Sequence, residues 1–114
     1  MIRGHQRIAR VLVVTCFGGA LLGSAVVASA ADPAGKKVYQ KACQSCHGAN
    51  GTPPPALAKS MNVPQATAAV LSQKADAELL RIIAEGAGKM PGYSNKMSPA
   101  EQKQVLEYMK TLGK

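Results

Sequence analysis

The chain has 114 residues, with 14 Lys and Arg against 6 Asp and Glu, a formal net charge of +8 and an aromatic content of 4%. That length holds one small domain and no second. A basic balance can mark a nucleic-acid surface, but only Arg81 follows residue 10 among the arginines, and aromatic residues are too sparse to interleave with the lysines, so nucleic acid is excluded as a partner.

The N-terminus reads as a targeting segment. Residues 1–10 carry Arg3, Arg7 and Arg10 and no acid, Val11 to Val27 is uncharged and mostly apolar, and Ala28-Ser29-Ala30 is a small-x-small site. This is the pattern of a secretory signal peptide over residues 1–30, cleaved near Ala30/Ala31, with residues 31–114 as the mature domain. An uncleaved membrane anchor is the alternative, although the apolar run is at the short limit for a span of about 20 residues and contains glycines. Cleavage places the domain in the periplasm, with no stable membrane insertion, and removes Cys16 and three positive charges. Cys43 and Cys46 are then the only remaining cysteines.

Pro33 to Ala42 has helical spacing, with Pro33 suited to the first turn. Gly35, Val38, Tyr39 and Ala42 share one face. Glycine weakens a helix interior, and close approach by another helix would give Gly35 a purpose. A fraying N-terminal turn is the plainer alternative.

Cys43-Gln44-Ser45-Cys46-His47 follows at once. Two thiols three positions apart with an imidazole next is the attachment signature of c-type haem. Each thiol can add to a porphyrin vinyl group as a thioether, and His47 then supplies the proximal iron ligand. Half a zinc site is a poorer reading, because zinc takes four ligands, or three and water, and neither Cys nor His recurs after residue 47. A redox dithiol would follow a strand at a helix N-terminus, and no such pattern surrounds the motif. A domain this small is marginal without a staple, so the cofactor is expected to form part of the core.

Gly48 to Lys74 is punctuated by Gly51, Pro53, Pro54, Pro55 and Pro64. It reads as an extended path with a short helix over Gln65 to Leu71. A metal-bound histidine donates its other ring N–H to a carbonyl or carboxylate, and one of these proline carbonyls could serve. Ala75 to Glu85 is an amphipathic helix with acids in its first turn and a stripe of Leu79, Leu80, Ile82 and Ile83. Gly86 and Gly88 stop it. Gly88 to Met97 is a loop around Met90-Pro91-Gly92. Ser98 to Leu112 carries an N-cap serine, a proline at the first position and the capping-box acid Glu101. No segment alternates as a strand, so the expected class is all-α.

The sixth position on a haem iron decides between electron transfer and an open, reactive site. Met61, Met90, Met97 and Met109 are the thioether candidates. Met61 is close in sequence to His47, Met109 lies on a helix stripe where methionine is usually core filler, and Met97 is expected against the haem edge. Met90, in a loop stiffened by Pro91, is the preferred ligand.

The order helix, Cys-x-x-Cys-His-Gly, proline loop, helix, Lys-Met-Pro, helix resembles the class I cytochromes c of bacteria over residues 33–113. The resemblance implies three main helices around one covalently bound haem c, thioethers at Cys43 and Cys46, His47 and Met90 as axial ligands, and Pro55 as the proline whose carbonyl orients His47. It also places Gly35 and Tyr39 where the first helix crosses the last near Tyr108. The implied function is that of an exported, monomeric one-electron carrier and not an enzyme. Its redox protein partners would be acidic where they dock, against a lysine cluster of Lys41, Lys89 and Lys96 at the haem edge. A haem-bearing subunit of a larger oxidoreductase and a haem peroxidase are the rivals.

Overall fold

In the computed structural model, which describes residues 32–114, six helices follow one another. They are α1 (Pro33–Ala42), α2 (Gln44–His47), α3 (Pro55–Met61), α4 (Ala68–Leu71), α5 (Asp76–Glu85) and α6 (Pro99–Met109). No strand occurs among the described residues, only one isolated bridge between Ala87 and Met90. The fold is all-α, as the sequence predicts. The expected signal segment, its cleavage site and Cys16 lie outside the described residues.

The three long helices begin where local chemistry favours them. The Asp32 side chain accepts the Ala34 N–H at 2.9 Å and Pro33 opens α1. Asp76 and Glu78 occupy the first turn of α5, where the helix dipole favours anions. Ser98 and Glu101 form a reciprocal capping box on α6, Glu101 N–H donating to Ser98 Oγ and Ser98 N–H to Glu101 Oε2.

The core sits where α1, α5 and α6 meet. Tyr39 and Val105 are fully buried, with Leu79, Ile83, Leu106 and Met109 around them. α1 packs most extensively on α6. At their crossing a Cβ on Gly35 would collide with the Gln104 carbonyl oxygen and meet Tyr108 Cβ at 3.0 Å, so only glycine lets the two backbones come this close. The Tyr39 and Tyr108 rings pack tilted beside it, centroids 5.4 Å apart, a favourable edge-directed arrangement.

Three expectations need correction. The segment read as an extended proline path contains α3, because Pro55 stands at a first helical position, where its missing N–H costs nothing. The next helix is shorter than predicted, because residue 66 is tied elsewhere: Ala66 N–H donates to the Gly51 carbonyl at 2.7 Å and its side chain is buried. α6 ends at Met109, and the chain runs on to Leu112 in tighter turns, with Thr111 N–H bonded to Tyr108 O and Leu112 N–H to Met109 O.

Candidate functional site

Immediately after α1 the chain turns once more as α2. The amides of Cys46 and His47 both donate to the Cys43 carbonyl, at 3.2 and 2.9 Å. Positions three and four apart share a helix face, so Cys43, Cys46 and His47 emerge together. Two tyrosine hydroxyls hold this turn at its ends. Tyr93 donates to the Ala42 carbonyl before it at 2.9 Å, and Tyr39 donates to the Gly48 carbonyl after it at 2.7 Å.

His47 is 9% exposed. Its Nδ1 lies 3.3 Å from the Pro64 carbonyl oxygen. A carbonyl only accepts, so Nδ1 carries the proton and Nε2 keeps its lone pair. Burial pushes the imidazole below its ordinary pKa, against a smaller upward effect from the Pro64 carbonyl. The ring is therefore neutral near pH 7, which is the form that ligates a metal. Pro55, the proline the resemblance assigned to this carbonyl contact, instead opens α3 and is exposed. The chain must travel round to residue 64 before a carbonyl comes level with the ring.

The Cys43 thiol is pushed up to about 11, mainly by burial and then by the neighbouring Cys46. A redox dithiol needs the opposite shift. No group of three or more His, Cys, Asp and Glu side chains is placed to hold a metal ion among the described residues. The zinc and dithiol readings both lose their basis.

Cys43, Cys46 and His47 open onto a cavity of about 610 Å³ that Met61, Met90 and Tyr93 also line. A smaller cavity of about 140 Å³ shares His47, Pro64, Ile82 and Met90 with it and reaches Leu106 and Met109 in the core. Met90 reaches the wall because its loop folds back on α5. Ala87 and Met90 exchange two backbone hydrogen bonds of 3.1 and 2.9 Å, and Tyr93 N–H donates to Ile83 O at 3.0 Å. Gly86 makes this return possible. Its φ is +84°, and a Cβ there would meet the Met90 carbonyl at 2.5 Å.

Of the other methionines, Met61 lines the main cavity and Met109 the smaller one. Met97, expected at the haem edge, is buried but lines neither cavity. Its backbone closes the turn before α6, and its carbonyl accepts from Gln102 Nε2 at 3.2 Å. Sequence reasoning missed Tyr93, Lys59 and Ser60 as wall residues and left Pro64 as one proline among several whose carbonyl could meet His47. The order of breakers in residues 48–67 carried no signal for which carbonyl would reach His47.

A family model described as Cytochrome C oxidase, cbb3-type, subunit III matches residues 30–109, well over half the chain. The chain belongs to that family. A solved structure described as the KustC0563 c-type cytochrome is similar over 67% of this chain and 93% of its own, at 27% sequence identity and a TM-score of 0.59. Comparison with curated protein sequences returns no match.

The chain is thus a monohaem cytochrome c domain with a haem-based electron-transfer role, and its cofactor is covalently bound haem c. The cavity wall fits that group. It offers two adjacent thiols, a neutral imidazole with one nitrogen already engaged, and an apolar lining that includes Val63, Ile82, Ala87 and Pro91. No helix among the described residues of the cytochrome is long and apolar enough to cross a membrane.

Proposed function

We propose that this cytochrome is an exported one-electron carrier with thioethers at Cys43 and Cys46, His47 as proximal ligand and Met90 as distal ligand. One observation carries the reading: both thiols, the imidazole and the Met90 thioether line a single cavity, while the Pro64 carbonyl occupies the other nitrogen of His47. Cys43 and Cys46 would hold the group through thioethers, each S–H adding across a vinyl C=C so that sulfur takes one carbon and the proton its neighbour. Bound there, the haem supplies an iron couple that takes up or releases one electron.

The chain's own groups set the conditions for that couple. His47 Nε2 keeps a free lone pair that would ligate the iron, and the Pro64 carbonyl fixes the ring through Nδ1. A methionine opposite a histidine raises the reduction potential relative to a second histidine. Apolar walls exclude water and disfavour the extra positive charge of the oxidised state. Export rests on the N-terminal segment, with its arginines, apolar run and Ala28-Ser29-Ala30. At the cavity mouth Lys59 and Lys89 are exposed, in keeping with acidic redox partners.

The test is direct. Haem should stay with the polypeptide on a denaturing gel and leave it when Cys43 and Cys46 are both changed to Ala. Haem retained after that change would overturn the attachment. The ferric spectrum of the intact protein should be low-spin with a sulfur-to-iron band.

A second reading is favoured by the family description, which names an oxidase subunit. The domain would then be a fixed electron-transfer subunit of a larger oxidoreductase. Gel filtration of a native extract separates the two: elution at the size of the lone domain supports the mobile carrier, and elution with a large complex supports the subunit.

A further inference from the structure

The six consecutive residues from Lys59 to Pro64 all line the main cavity. The Pro64 carbonyl, at one end of this segment, meets His47 Nδ1. Near the other end, the Ser60 carbonyl accepts a hydrogen bond of 2.9 Å from Lys89 Nζ, across 29 positions of sequence. Ser60 is in the last turn of α3, where carbonyls have no partner within the helix and a cation is favoured by the helix dipole. An ammonium donor makes the bond charge-assisted and stronger than a neutral one.

The other hydrogen bonds that hold the Met90 loop run within it, to α5, to the end of α1 or to α6. They include the Ala87 and Met90 pair, Tyr93 N–H to Ile83, Ser94 N–H to Ala84, the Tyr93 hydroxyl to Ala42, and Gln102 Nε2 of α6 to the Met97 carbonyl. Among the described residues, Lys89 to Ser60 is the loop's one hydrogen bond to the α3 side.

We propose that Lys89 is a positioning residue for Met90, latching the methionine loop to the Ser60–Pro64 strap whose far end orients His47. The latch rests on the assignment of Met90 as distal ligand. The two axial residues then hang from one short segment of chain, and swinging Met90 away requires the Lys89 bond to break first.

The probe is neutral imidazole binding to the ferric holo-protein, which must displace the distal ligand. Its association rate reports how often Met90 leaves. In Lys89→Ala that rate should rise roughly five- to ten-fold, the factor a typical net hydrogen bond is worth, since solvent around the exposed Lys89 and Ser60 offsets the gain from charge. Lys89→Arg, which keeps the donor, should return it toward the wild-type value. Lys103→Ala, on α6 and away from the main cavity, removes the same charge and should leave it unchanged. Met90→Ala should bind imidazole fastest of all, with no dependence on residue 89 when the two changes are combined.

The outcomes separate the two ideas. If Met90→Ala binds no faster than wild type, the ligand assignment fails and the latch with it. If Met90→Ala is fast but Lys89→Ala binds at the wild-type rate, the latch alone is overturned. An equal acceleration in Lys103→Ala would also overturn it, because charge would then suffice. Urea unfolding of each variant, with its covalent haem, checks that global stability has not moved in step with the rate.

Discussion

A thioether sulfur binds iron weakly and raises the reduction potential of its site, so, with Met90 as the proposed distal ligand, Met90→Ala should open the sixth position to water or an added ligand. The potential should fall by on the order of 0.1 V, a fraction of the ~0.8 V that axial ligation spans. Potentiometry measures the fall, and loss of the ferric sulfur-to-iron band marks the vacated site. Met61→Ala and Met97→Ala should keep the band. Met61 is the sharper control, since it lines the same cavity, and disappearance of the band there would transfer the ligand role to it. The shared turn of Cys43, Cys46 and His47 was legible before any coordinates, because the three are contiguous and their spacing puts them on one helix face. Pro64 was not. The contact that fixes His47 bridges 17 positions, and nothing in the local order of prolines distinguishes residue 55 from residue 64. Lys89 to Ser60 and Tyr93 to Ala42 span 29 and 51 positions, beyond the reach of any periodic pattern.

Between elements, the decisive contact is the crossing of α1 and α6 at Gly35. Any side chain there must push apart two helix backbones, because the nearest neighbour is the Gln104 carbonyl and not a flexible side-chain end. Gly35→Val should destabilise the holo-protein by about 3 kcal/mol, at the upper end of what overpacking costs, read as a lower urea midpoint. A midpoint unchanged from wild type would mean that α1 frays in solution. Ser98→Ala removes one half of the α6 capping box and should cost about 1 kcal/mol. The element boundaries that sequence predicts well are those with a chemical marker at the end. Pro33 opens α1, and Ser98, Pro99 and Glu101 mark the start of α6. α3 stayed hidden because its marker is one proline in a row of three, and three prolines read equally as an extended strand of chain or as a helix start. Gly35 was legible only as a question, since a glycine's purpose lies on whichever helix approaches it.

For the molecule as a whole, charge is unevenly engaged. Asp76, Glu78, Glu85 and Glu107 are in ion pairs on α5 and α6, exposed pairs that add little stability. Lys59 and Lys89 stand at the cavity wall, and Lys96 lies over the Tyr93 ring with Nζ 5.6 Å from its centroid. If these cations steer an acidic partner, electron exchange should slow as ionic strength rises, since exposed charges are screened beyond ~8–10 Å at physiological salt. Lys96→Glu should slow exchange more than Lys114→Glu, an equal change of charge at the chain end. Stopped-flow rates over a salt series decide it, and equal effects would reduce the surface to its net charge. Lys89 is the wrong residue for this test, because its loss would also loosen the Met90 loop. Every residue lining the main cavity falls between Ala42 and Tyr93, whereas the most extensive helix–helix packing among the described residues joins α1 to α6. Apart from Ala42, α1 and α6 contribute no wall to the main cavity, although Leu106 and Met109 of α6 line the smaller one and the Tyr39 hydroxyl ties α1 to the Gly48 carbonyl. A change at Gly35, Gln104 or Tyr108 therefore reaches the main cavity only indirectly, through Tyr39 and the α6 side of the smaller cavity, whereas the 59–64 strap borders it directly.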